Sequence, residues 1–133
     1  MKYLLRLFLL FFFSPAFGQS NISIDSLFDC KFRIKWAIDS NGLQGTRYKI
    51  VKEVFQDKRG RTKFIPLEGI SEDSLIAYLG KPNIFRKSLS IDGYSEYTYF
   101  IKMDWIKPNS YEGIVLIIEL SKNKVISYFI MIT

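Results

Sequence analysis

An α+β domain of two short helices packed on an antiparallel meander sheet of three to four strands is the fold the sequence predicts. Three observations carry it: a well-punctuated helix at residues 71–79, a change of apolar period to two after it, and a final pair of apolar runs joined by a short polar turn. A leader precedes the domain. Met1 to Arg6 carries two basic residues, residues 7–17 are almost wholly apolar, and Ala16-Phe17-Gly18 puts small side chains three and one residues before Gln19. This three-part pattern is that of a cleavable export signal. The apolar run is about half the ~20 residues a spanning helix needs, and Pro15 interrupts it. The expectation is a signal peptide at 1–18 and a single domain at 19–133, periplasmic or secreted from a Gram-negative-type envelope, with no transmembrane or lipid anchor after cleavage. A lipoprotein signal needs a cysteine directly after the apolar run, and the one cysteine of the chain, Cys30, lies well past it.

Within the domain, Thr46 is a candidate cap for a first helix, whose apolar stripe is Ile50, Val51, Val54 and Phe55 and which ends by Asp57. Ser71 caps the second; Glu72 and Asp73 favour its positive end, Leu75, Ile76 and Leu79 face inward, and Gly80 and Pro82 stop it. Residues 83–89 form a shorter edge strand. From residue 96, Tyr97, Tyr99, Ile101 and Met103 alternate with Glu96, Thr98, Phe100 and Lys102, the period of a half-buried strand. Residues 114–120 and 125–132 are two further strands across the turn 121–124. Residues 27–38 stay open. Their alternation reads as a strand, while Phe28, Phe32 and Trp36, four apart, read as one helix face. The last two strands are apolar on both sides, so helices on one face leave the other to be covered by residues 28–36 or by a partner.

Gly69-Ile70-Ser71-Glu72-Asp73-Ser74-Leu75-Ile76-Ala77-Tyr78-Leu79-Gly80-Lys81-Pro82, followed by Tyr97-Thr98-Tyr99 and an apolar hairpin, resembles the small outer-membrane lipoproteins of the SmpA/OmlA type over about residues 67–132. The resemblance implies a fold like that of the β-lactamase-inhibitor protein. Two departures limit it: the lipid-bearing cysteine is absent, and residues 21–64 have no counterpart, so a role in barrel assembly is not carried over. The first half, with Trp36-x-x-Asp39-x-Asn41-Gly42 ahead of Arg47, resembles uncharacterised exported proteins of Bacteroidetes-type bacteria.

The chain contains no histidine, which removes Ser-His-Asp and Cys-His catalysis and histidine-ligated zinc. A single cysteine makes neither an internal disulfide nor a thiolate metal site; Cys30 is either buried or an intermolecular partner. No phosphate loop, dinucleotide fingerprint or calcium loop is present. Paired carboxylates are the one surviving catalytic chemistry, with Asp39, Asp92, Glu96, Asp104 and Glu112 as candidates at no telling spacing. The expectation is therefore no enzyme, no cofactor and no metal. Removing Lys2 and Arg6 from 19 basic residues leaves 17 against 13 acidic, a net +4, too slight an excess to suggest nucleic acid.

Binding to another envelope protein or an envelope component is expected instead. Aromatic side chains are the hot-spot type, and Trp105, Tyr97, Tyr99, Tyr111 and Trp36 are the binding candidates, Trp105 first because it sits beside the loop at Pro108. Lys58, Arg59, Arg61 and Lys63 are candidates for contacting an anionic group, against the plainer reading of a solvated loop closing a helix. An inhibitor of a hydrolase is the alternative function, and a carboxylate-based hydrolase a remote one.

Overall fold

The computed structural model describes residues 23–61 and 67–133. The leader at 1–18 lies outside the described residues. Among the described residues, four helical segments precede a sheet: α1 (Ile24–Leu27), α2 (Cys30–Ile38), α3 (Thr46–Ile50, continued by a wider π turn at Val51–Phe55) and α4 (Glu72–Leu79). The sheet is an antiparallel meander, β1 (Ile84–Lys87), β2 (Tyr94–Lys107), β3 (Ser110–Ser121) and β4 (Lys124–Ile132), in spatial order β1-β2-β3-β4. The α+β class stands as expected and the four strands fall within the expected three to four, but the described helices number more than two.

The added helices come from the segment whose period was ambiguous. Asp29 caps α2, its Oδ1 accepting the Phe32 amide at 2.9 Å. Phe28, Phe32 and Trp36 then fall on one buried face, while Ile34 and Ile38 are exposed. The strand-like alternation thus rested on three surface residues, Cys30, Ile34 and Ile38.

At α3, Thr46 is the first helical residue and makes no cap; Gly45 takes the cap position in the left-handed region. The orphan amide is met from further off: the Asp39 carboxylate accepts from Arg47 N at 3.1 Å and Gln44 N at 2.9 Å. α4 follows its local signals. Ser71 Oγ accepts from Ser74 N, Leu75 and Leu79 are buried, and Gly80 closes the helix by donating to Ile76 O at 2.8 Å.

All four helical segments contribute to one core with Tyr97, Tyr99, Ile101, Leu116, Ile118 and Leu120. Residues 28–36 therefore pack on the same face as the other helices and do not cover the second one, contrary to that expectation. Phe100, Met103, Val115 and Ile117 form a separate apolar cluster, joined by half-buried Ile84 and Tyr111 and by no described helix.

Met103 was expected beside Ile101 and lies on the opposite face. An extra residue in β2 causes this: Phe100 pairs with Val115 and Lys102 with Ile114, leaving Ile101 bulged. Gly42 presses on β2 at that point. With φ +71°, it would bring a Cβ to 3.1 Å from the carbonyl carbons of Phe100 and Ile101, and its own carbonyl accepts the Met103 amide at 2.9 Å.

A second irregularity lies between Met103 and Trp105, opposite Gly113. Gly113 has φ +151°, and a Cβ there would stand 2.2 Å from the Lys102 carbonyl oxygen, a backbone atom that moves only with β2. Gly113→Ala is expected to cost ~2–4 kcal/mol, from the unfavourable backbone region plus the forced separation of the strands. Urea denaturation measures it; a midpoint equal to the parent's would mean β2 gives way freely at its bulge.

Candidate functional site

Three of the aromatic candidates sit inside the core. Trp36 is 1% exposed, and its indole N–H donates to Leu79 O at 2.9 Å. Tyr99 is wholly buried and donates to Gly80 O at 2.8 Å. Tyr97 is buried and donates to the Glu72 carboxylate. Their polar tips hold the end of α4 and its first turn against the sheet, so their ring area is spent on packing.

Trp105 and Tyr111 lie instead on the β2–β3 hairpin. Trp105 pairs with Glu112 and Ile106 with Tyr111, so strand alternation sends the two pairs to opposite faces. Trp105 is 37% exposed; its Nε1 donates to Glu112 Oε2 at 2.9 Å, and the Lys107 ammonium lies 5.1 Å from its ring centre. The Tyr111 ring packs 5.0 Å from that of Phe100 on the second sheet face.

Beside that ring pair is a cleft of about 610 Å³, bounded by β1 and the hairpin. Ile84, Phe100, Ile106 and Pro108 give it apolar walls; Asn83, Asn109, Ser110 and Tyr111 supply polar groups, and Arg86 and Lys107 supply charge. Its volume is in the range of small-ligand sites. Of these residues only Tyr111 was a binding candidate. The rest come together where β1 pairs with the neighbouring β2 and the β2–β3 turn closes the end, an arrangement set by strand register rather than by any motif at Arg86 or Asn83.

Asn83 is held in place. Its Oδ1 accepts from Phe100 N at 2.8 Å and from Arg47 Nη1 at 3.3 Å, and its Nδ2 donates to Ser40 O at 2.7 Å. Arg47 also donates from Nε to Trp36 O at 2.9 Å and from Nη1 to Phe100 O at 3.0 Å, with its guanidinium 4.4 Å over the Trp36 ring. Burial pulls the Arg47 pKa down to about 10, opposed by the Asp39 charge, so it stays cationic at neutral pH. The Trp36, Asp39, Gly42 and Arg47 set is thus one buried scaffold behind the cleft wall.

In the basic cluster, Asp57 organises the turn. Its Oδ1 accepts from the amides of Arg59 at 2.8 Å and Arg61 at 2.9 Å, and its Oδ2 accepts Arg61 Nε at 2.7 Å. These bonds, the Arg61 amide first, lower the Asp57 pKa. Arg61 is therefore paired, Lys58 and Arg59 are exposed, and Lys63 lies outside the described residues.

Of the acids, Asp39 is buried beneath two amides and Glu112 is bonded to Trp105. Asp92 lines a smaller cleft of about 270 Å³ with Glu72, itself taken by Tyr97. Glu96 faces Glu119 across β2 and β3, where Glu119 accepts from Tyr94 and, at 2.7 Å, from Ser127. Among the described residues no three His, Cys, Asp or Glu side chains are placed to hold a metal, and no helix is long and apolar enough to cross a membrane. Cys30 is exposed and free.

Two buried tyrosines and the half-buried Tyr94 set an alkaline limit. Hydrogen bonding to Glu119 raises Tyr94 to about 12, burial and Glu72 raise Tyr97, and burial raises Tyr99 furthest. Unfolded tyrosine titrates near ~10. Below that pH these groups are protonated in both states and their contribution to stability is whole. As pH rises from ~10 the unfolded chain releases protons that the fold retains, and stability falls towards the raised native values. Arg47, with its lowered value, acts the other way but is one group against three. Denaturant midpoints should therefore drop above pH ~10, together with a late rise of tyrosinate absorbance; constant midpoints up to pH ~12 would contradict it.

Comparison with known proteins returns no matching family, no matching curated protein and no matching solved structure.

Proposed function

We propose that the mature domain, residues 19–133, is a non-catalytic exported module that binds another envelope protein or an envelope component through its second sheet face and β2–β3 hairpin. The observation that carries the reading is the two-sided apolar sheet. Every described helix packs on one face, yet Phe100, Met103, Val115 and Ile117 form an apolar cluster on the other. Phe129 and Met131, which pair with Ile117 and Val115, remain 40% and 39% exposed beside it. Apolar area of this kind, with Ile106 exposed on the same side and Trp105 on the opposite side of the hairpin, suits contact with a partner. The SmpA/OmlA-like reading of residues 67–132 belongs to the same proposal, supported by the order of α4 and the meander that follows. So does the periplasmic or secreted address, which rests on the leader pattern.

A photo-crosslinking residue at Phe129 in whole cells should give a discrete adduct, and one at Lys35, on the outer side of α2, should not. Adducts at neither position, from a protein that stays monomeric, would end the reading. The address is tested separately: the N-terminus of the exported protein should be Gln19, and retention of residues 1–18 in the cytoplasm would refute it.

A further inference from the structure

We propose that the 610 Å³ cleft between β1 and the β2–β3 hairpin binds a small dissolved amphiphile with one anionic head group and an apolar tail. This deepens the reading of the domain as a binding module and rests on it. Charge is the first argument. Two cations, Arg86 and Lys107, line the cleft and no acid does, Arg86 being the freer of the two because the Lys107 ammonium also lies 5.1 Å from the Trp105 ring. Glu96 is in register with Arg86 across β1 and β2, but among the described residues neither Arg86 nor Lys107 makes an ion pair. A guanidinium with its donors free is suited to a carboxylate or a similar oxyanion.

The second argument is the floor. Ile84, Phe100 and Tyr111 line the cleft and also belong to the second apolar cluster, so the cavity opens onto continuous apolar surface. A bare inorganic anion would leave that surface wet, and a neutral hydrocarbon would leave the Arg86 guanidinium unmatched. A molecule with both parts uses both.

The third argument is rigidity. Asn83, on the cleft wall, is fixed by three hydrogen bonds to Arg47, Phe100 and Ser40, and the Phe100 ring is packed against Tyr111. The wall is therefore formed before any ligand arrives, which lowers the ordering cost of binding.

Calorimetric titration of the mature domain with decanoate, below its micellar range, tests this. Saturable binding is expected, with decanol and inorganic phosphate each weaker than decanoate. The double variant Arg86→Gln, Lys107→Gln should weaken decanoate at least ~10-fold and leave decanol unchanged, because a hydrogen bond to a charged group is being lost. Both positions are exposed on the sheet edge and hairpin, and circular dichroism checks that the variant folds. No saturable decanoate binding, decanol binding equal to decanoate, an undiminished double variant, or binding only to anionic vesicles would each overturn the proposal. The Phe129 crosslink is read in parallel. An adduct without decanoate binding removes this inference alone, and decanoate binding without an adduct removes the macromolecular partner alone.

Discussion

Arg47→Ala is expected to lower the stability of the domain by ~3–5 kcal/mol, a large share of the ~5–15 kcal/mol that holds a domain folded. Arg47 is 3% exposed, and its guanidinium reaches three acceptors on three separate segments: Trp36 O at the end of α2, Asn83 Oδ1 before β1, and Phe100 O at the bulge of β2. Removing it leaves two buried carbonyls short of a donor and a buried Asp39 carboxylate short of its nearest opposite charge. The aromatic face of Trp36 loses its cation as well. Arg47→Lys should recover only part of the loss, since one ammonium on a flexible stem cannot span the same three acceptors. Urea denaturation followed by circular dichroism measures both variants. Were Arg47→Lys as stable as the parent, the forked geometry would be irrelevant and the site would need only a charge. The same variants bear on the cleft, because Asn83 loses an anchor when Arg47 goes.

What the sequence made legible depended on how local the cause was. The whole of α4 lies within a dozen residues of its own signals, Ser71 at the start and Gly80 with Pro82 at the end, and each acts where it stands. The turn between β3 and β4 is likewise local, with Lys122 and Asn123 both at positive φ as a two-residue hairpin requires. Cap assignment at α3 failed because the carboxylate that meets the Arg47 amide sits eight residues upstream, in Asp39. Met103 was misplaced because the bulge at Ile101 answers to Gly42, far away in the chain. The aromatic candidates divided for a similar reason. Residue type marks Trp36, Tyr97 and Tyr99 as adhesive surface, but only the docking of α4 decides that they adhere to their own core. The cleft depends on the exact register of β1 against β2 and on the two bulges of β2, which decide the side chains that face it and which no spacing announces.

Trp36→Ala is expected to cost ~3–5 kcal/mol, by cavity formation around the largest buried side chain of the domain. The indole stacks on Phe32 at 5.6 Å and 13°, lies 6.4 Å from Phe55 and 6.1 Å from Tyr99, and so touches α2, the π turn after α3 and β2 together. Its N–H also satisfies Leu79 O, one of the carbonyls that the end of α4 leaves without a helical partner. Trp36→Phe separates the two contributions. It keeps most of the ring area and removes the hydrogen bond, so it should cost ~1–3 kcal/mol. Chemical denaturation of both variants by circular dichroism is the measurement, because Trp105 then dominates the remaining fluorescence. A Trp36→Ala protein as stable as the parent would mean that Phe28 and Phe32 alone dock α2. Loss confined to Ala, with Phe equal to tryptophan, would mean that water takes over the Leu79 carbonyl and that packing carries the whole effect.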